Sequence, residues 1–101
     1  LMNIKKARNN KLVLSLYVAG KNIKSIAAMK NLNYICNEVY KGMYKLEVID
    51  ILKNPKLARL NQILAIPTLI RNLPLPRKNI IGDLSNRELV IAELKYNGYS
   101  Q

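Results

Sequence analysis

The 101-residue sequence has no histidine, no phenylalanine and no tryptophan, and a single cysteine, Cys36. Each absence removes a class of chemistry. One cysteine excludes an internal disulfide and a Cys-x-x-Cys redox pair, and without histidine the usual zinc ligand sets cannot be assembled. The missing histidine also removes the commonest general base. Acidic residues are scarce, six against seventeen Lys and Arg, for a formal net charge of +11. Asp50 and Asp83 are the only acids beside candidate strands. No base, nucleophile or metal cluster accompanies them, so neither an enzyme nor a cofactor is expected. No apolar run approaches the ~20 residues needed to span a bilayer. Residues 1–10 are basic and polar, not the apolar core of a signal peptide. The expectation is a cytosolic protein with no membrane partner.

Half the residues are hydrophobic, so the chain can bury a core. Its length fits one domain over residues 1–101, with a basic segment at 1–10 and a short tail at 97–101. The positive balance favours anionic partners. Its bases fall in three loose groups: Lys5, Lys6, Arg8 and Lys11; Lys53, Lys56 and Arg59; Arg71, Arg77 and Lys78. Without Phe or Trp there is no stacking platform, and none of the six Tyr sits in an RNA-binding signature, so nucleic acid is not the expected partner. Cys36 lies in a helical apolar pattern and reads as a small core residue.

Residues 11–19, KLVLSLYVA, are nearly continuous in apolar residues and predict a central strand covered on both faces. Ile23, Ile26, Met29, Leu32, Cys36, Val39 and Tyr40 recur at three- and four-residue steps, which predicts a helix over 23–40 with those residues inward. Gly42 is placed to end it. In residues 44–50, YKLEVID, Tyr44, Leu46 and Val48 alternate with Lys45 and Glu47, as a second strand would. Strand, helix and strand in this span make a βαβ unit with parallel strands. Beyond it the pattern predicts a turn at Lys53-Asn54-Pro55, a short helical stretch before residue 64, a strand over 66–70 and a short strand over 78–84. Ser85 and Glu88 form a capping box that starts a helix over 86–96 burying Leu89, Val90, Ile91 and Leu94. This order is that of an α/β fold of the thioredoxin-like superfamily. The turn where a redox enzyme would carry its two cysteines, Ala19-Gly20-Lys21-Asn22-Ile23, has none.

Several blocks resemble the circadian clock protein KaiB family: Leu16-Tyr17-Val18-Ala19-Gly20, Val48-Ile49-Asp50, Leu52-Lys53-Asn54-Pro55, Ile63-Leu64-Ala65, Pro67-Thr68-Leu69, Leu73-Pro74 and, most specifically, Ile80-Ile81-Gly82-Asp83-Leu84-Ser85-Asn86-Arg87-Glu88. The resemblance implies a divergent, non-cyanobacterial member and a non-enzymatic regulatory protein. Such a protein binds a KaiC-like ATPase and modulates its phosphorylation state and output. It also implies a homo-oligomer, dimer or tetramer, and a C-terminal half able to adopt either a self-associated ground state or a thioredoxin-like arrangement. Family members of the cyanobacterial type also capture KaiA and compete with a sensor kinase whose N-terminal domain is KaiB-like. The surface expected to meet the ATPase uses the first helix and second strand, around Lys11, Lys24, Lys30, Lys45 and Glu47. Pro67, Pro74 and Pro76 each offer a cis/trans choice within the ambivalent half.

The chain departs from the family at Ala27, where the family has Arg, and at Glu47, where it has Lys. Arg59-Leu60-Asn61-Gln62 stands where the family has a Glu-Glu-Asp-Lys run, and Glu93 and Lys95 replace Gly and Asp. The chain ends Tyr99-Ser100-Gln101, without the family's acidic tail. These changes motivate the alternative of a KaiB-like role outside a clock, in stress adaptation with another partner. Local preference favours the thioredoxin-like arrangement. Mass action favours the self-associated one at crystal concentration, and the sequence reading leans that way.

Overall fold

The computed structural model describes residues 12–95. Strand β1 (Leu12–Val18) leads through a tight turn into helix α1 (Ile23–Ile35), which continues as a π-helical turn (Cys36–Tyr40). Strand β2 (Tyr44–Asp50), a short helix α2 (Pro55–Leu60), strands β3 (Thr68–Leu73) and β4 (Lys78–Ile81) and helix α3 (Arg87–Leu94) follow. The sheet order is β2-β1-β3-β4, with β1 parallel to β2 and antiparallel to β3, and β4 antiparallel to β3. The central strand, the βαβ unit and the later elements stand where the sequence puts them. β3 begins later than expected, at Thr68, and runs further, to Leu73, while β4 stops earlier, at Ile81.

One sheet face carries the main core. Leu14, Leu16 and Leu69 from the strands, Leu32 and Ile35 from α1 and Leu94 from α3 are almost fully enclosed. Each such side chain contributes about 1.5–3 kcal/mol relative to exposure. The other face is covered by less: Tyr17, Ile49 and Ile70 pack with Ile51, Ile63 and Ile66 from the segment that contains α2. This division positions the surfaces discussed below, because α1 and α3 lie on one side and the α2 segment on the other.

The inward face of α1 is the predicted one only in part: Leu32 and Cys36 are buried and Met29 and Tyr40 pack against the core as expected, but the start of the helix differs. Ser25, Ala28, Leu32 and Ile35 face the sheet, with Cys36 after them, while Ile23 is 85% exposed and Ile26 and Val39 are also exposed. Small Ser25 and Ala28 occupy the sheet-facing positions near the start of the helix. The Ser25 hydroxyl accepts a hydrogen bond from Ala19 N (3.2 Å), tying the helix to the end of β1. Asn22 caps the helix, its side chain accepting from Lys24 N and Ser25 N. At the other end Lys41 takes the left-handed conformation (φ 38°) before Gly42 does (φ 90°), so the stop is shared between them.

Helix α3 is capped by Asn86, whose side chain accepts from Leu89 N at 3.2 Å. Ser85 is not the cap. Its amide donates to Asp83 Oδ1 at 3.0 Å, which closes a turn just before the helix. Val90 and Leu94 are buried and Ile91 packs against the core, but Leu89 is 54% exposed. Residue 96, the predicted end of this helix, lies outside the described residues, as do 1–10 and 97–101. The peptide bonds preceding Pro67, Pro74 and Pro76 are all cis.

With α3 packed beside β3 and β4, the single chain holds the thioredoxin-like arrangement. The lean toward the self-associated one concerns assembled chains at crystal concentration, whereas the single chain takes the arrangement that local preference favours. The physical reason is local. α3 has a side-chain cap at its start, an ion pair from Lys78 to Glu93 (2.7 Å), and the buried Arg71 guanidinium at its end.

Candidate partner-binding site

The residues expected to meet a partner fall on two surfaces. Lys24 and Lys30 are exposed on α1, and Lys45 and Glu47 are exposed on β2, an edge strand of the sheet. Lys11 lies outside the described residues. Registers Val13↔Lys45 and Ser15↔Glu47 alternate with Leu14↔Leu46, whose side chains are in the core beneath α1. Lys45 and Glu47 therefore point to the sheet face opposite α1, and only the rim of the molecule brings the two pairs near each other. Between α1 and β2 the rim holds a shallow apolar groove lined by Leu16, Met29, Leu32, Asn33, Leu46 and Val48. Val48 is 46% exposed there, although strand alternation alone predicts it inward. An edge strand has no neighbour to cover its outer flank.

Electrostatics on the sheet face opposite α1 involve the buried Tyr17. Burial pushes its phenol up; Arg77 pulls it down and Glu47 raises it further. Tyr17 therefore feels opposite charges from Glu47 on β2 and Arg77 in the β3–β4 turn.

The acids beside the strands serve the backbone. Asp50 Oδ1 accepts from Gly20 N (3.1 Å) and Leu52 N (3.0 Å), joining the turns that follow β1 and β2. The amide of Ser85 holds the Asp83 carboxyl below the usual carboxylate range. Cys36 is fully enclosed, and burial pushes its thiol up to about 11, the state of an unreactive core residue. Among the described residues no three Cys, Asp or Glu side chains converge as a metal site would need.

The most specific sequence block is used to dock the second half on the first. Asn31 Nδ2, on α1, donates to Asp83 O (2.9 Å), and Arg87 Nε donates back to Asn31 Oδ1 (3.0 Å). The Arg87 guanidinium also lies over the Tyr34 ring, 4.0 Å from its centroid, a cation–π contact. Sequence reading missed this network. Asn31 and Tyr34, polar and amphipathic residues one helical step apart, were its signal.

The KaiB domain profile matches residues 15–96. The chain belongs to the KaiB family. It is 56% identical over 82 residues, 81% of its length and 76% of theirs, to the circadian clock oscillator proteins KaiB of Thermostichus vulcanus and Thermosynechococcus vestitus. It is 52% identical over 82 residues to that of Synechococcus elongatus, covering 81% of this chain and 80% of the relative. Relatives of this kind make it a member of a non-enzymatic regulatory family. Among solved structures, the N-terminal domain of Synechococcus elongatus SasA is similar with a TM-score of 0.67 at 21% identity, over 82% of this chain and 79% of that one. The germline-specific thioredoxin Deadhead of Drosophila melanogaster gives 0.68 at 17% identity, over 91% and 89%. At such identities the likeness shows a thioredoxin-like fold alone. The redox pair of a thioredoxin has no counterpart here, since Cys36 is the only cysteine of this KaiB-family chain.

Proposed function

We propose that this chain is a regulatory binding protein that engages a KaiC-like ATPase and modulates its phosphorylation state and output, as part of circadian or related timing. The observation that carries this reading is the family membership, with 56% identity over 81% of the chain. The geometry supports α1 and the β2 rim as the surface. Lys24 and Lys30 offer cations on one side of the apolar groove, and Lys45 and Glu47 offer a mixed pair on the other side of the edge strand. Charged groups flanking an apolar groove give orientation and association rate, while the groove supplies buried area. The ATPase supplies the nucleotide. The same chain self-associates as a dimer or tetramer, a reading supported by the exposed apolar side chains on its rim.

The test is a pull-down with the KaiC-type ATPase of the same organism, with and without ATP. Retention of the wild-type chain, weakened when Lys24 and Lys30 are changed to Glu, is the expected result. Failure to bind under both conditions would remove the reading. The alternative, a KaiB-like role outside a clock with another partner, is favoured by one observation. Glu47 is exposed on the proposed surface with a charge opposite to the family's Lys. Loss of ATPase binding together with a stress phenotype on deletion would support it.

A further inference from the structure

The segment from β2 to β3 carries a feature that the proposed ATPase surface does not use. Its isoleucines turn inward, with Ile51, Ile63 and Ile66 packed on Tyr17, Ile49 and Ile70. Its leucines turn outward: Leu52, Leu60 and Leu64 are 71%, 77% and 93% exposed. A single exposed leucine is ordinary, but three on one short segment are not explained by the core they leave. Lys53, Lys56 and Arg59 are exposed on the same segment, and no acidic residue occurs between Asp50 and Asp83 in the sequence. At about 100° per residue, Arg59, Lys56 and Leu60 occupy adjacent directions around α2, so cations and leucine share one outward arc. The nearest carboxylate in sequence, Asp50, accepts from two backbone amides.

We propose that this leucine-and-cation ridge, formed by segment 52–64, is a docking surface for an anionic lipid bilayer. The occupant follows from charge and from the exposed apolar side chains beside it. An open hollow lined by residues 53–57 lies at the start of the segment, and Leu60 and Leu64 project beyond it. Leucines bracketed by lysine and arginine place apolar side chains at the acyl boundary and cations at the headgroups. The ridge lies over the sheet face opposite α1, so docking would leave α1 free. The sequence alone expects no membrane partner. The outward leucines are visible only in the structure, because apolar patterning does not reveal which of the Ile and Leu residues point in.

The test is flotation of the full chain with phosphatidylglycerol vesicles and with phosphatidylcholine vesicles, at low and raised salt. Binding to the anionic vesicles only, weakened by salt, is expected. Changing Lys56 and Arg59 to Gln lowers it about twenty-five-fold, at roughly fivefold per cation. Changing the solvent-facing Leu60 and Leu64 to Ser lowers it about tenfold or more, through lost apolar insertion. Changing Lys41 and Lys95 to Gln, which removes the same charge from elsewhere on the surface, leaves it within about twofold, since their charges act at a distance from the bilayer. If that control pair costs as much as the ridge pair, or if the leucine variant binds as wild type does, the attraction is one of net charge and the proposal fails. It fails also if soluble polyglutamate binds through Lys56 and Arg59 while vesicles do not, which would assign the ridge to an acidic protein.

Discussion

Arg71 is 3% exposed and has no carboxylate partner among the described residues, which makes it the sharpest place to test how the second half is held. Its Nη1 donates to the carbonyls of Glu93, Leu94 and Lys95 at 3.3, 3.2 and 3.0 Å, and its Nη2 donates to Pro76 O at 2.6 Å. The last carbonyls of a helix have no partner within it, and the negative end of the helix dipole favours a cation. The guanidinium answers both needs for α3 and at the same time ties the helix to the β3–β4 turn. Replacing Arg71 by Met keeps much of the volume and removes the charge. The losses are the unpaired carbonyls, at about 1–3 kcal/mol for each that stays buried, and a dipole contribution of up to ~2 kcal/mol. The gain is relief of a buried cation's desolvation, several kcal/mol. The net expectation is a loss of about 2–4 kcal/mol, a large share of the 5–15 kcal/mol typical of a domain. At ~4–8 °C per kcal/mol for a domain of this size, Tm falls by roughly 10–25 °C. Urea denaturation followed by circular dichroism measures the free energy, and amide exchange locates it: α3 amides lose protection before those of β1. Arg71→Lys keeps the charge but not the fork that reaches two elements, and costs about half as much. An Arg71→Met chain within ~0.5 kcal/mol of wild type, inside the usual range for surface substitutions, would refute the reasoning. An Arg71→Lys chain equal to wild type would show that charge alone matters.

Other substitutions probe other joints. Gly20→Ala places a methyl 3.1 Å from Leu52 Cδ1 at a φ of +52°, and a loss of about 1 kcal/mol or more is expected in the same denaturation assay. Asn86→Ala removes the α3 cap and costs about 1 kcal/mol, against a smaller cost for Ser85→Ala; the reverse order would restore Ser85 as the cap. With its thiol pushed up to about 11 from 9.0, Cys36 reacts with thiol reagents at pH 8 about a hundredfold more slowly than an ordinary cysteine, before burial slows it further. The folded state holds the Cys36 proton more tightly than the unfolded chain, so this contribution is intact below pH 9 and is lost as pH rises through 11. Alkaline denaturation that is less steep in Cys36→Ala would register it.

The parts of the fold legible in the sequence are those set by strong local patterns. Apolar β1 could only be central, and the alternation of residues 44–50 could only be a half-covered strand. The inward face of α1 was legible at Met29, Leu32 and Cys36 but not at its start, because Ile23 and Ile26 outweigh Ser25 and Ala28 in any hydrophobic count. What decides that face is the close approach of small residues and the bond from Ala19 N to Ser25 Oγ. Arg71 was visible as a basic residue but not as a clamp. The available clue was its place two residues after Leu69 in an apolar strand, a position that faces the core. Of the candidate site, exposure of Lys24, Lys30, Lys45 and Glu47 follows the sequence reading. The separation of the two pairs by the sheet required the register.

The two halves of the chain are stabilised by different means. The βαβ unit rests on side chains that are almost fully enclosed, Leu14, Leu16, Leu32 and Ile35 among them. Helix α3 has eight residues, too few to be stable alone, and buries only Val90 and Leu94 completely enough to count as core. The rest of its anchorage is polar: Asn86 at its start, Lys78–Glu93 along its side, Arg71 at its end, and Arg87 reaching Asn31 and Tyr34. The Lys78–Glu93 pair is partly exposed and worth at most ~1 kcal/mol, so no single contact fixes the helix. Apolar burial is not weakened by charge screening, whereas this set of contacts is charged at three of its four points and is weakened by screening where it meets solvent. The second half is therefore the part whose arrangement single substitutions and ionic strength can shift while the βαβ unit stays folded. In a salt titration monitored by amide exchange, α3 loses protection first and β1 keeps it. Equal loss in both would show that the halves open as one unit.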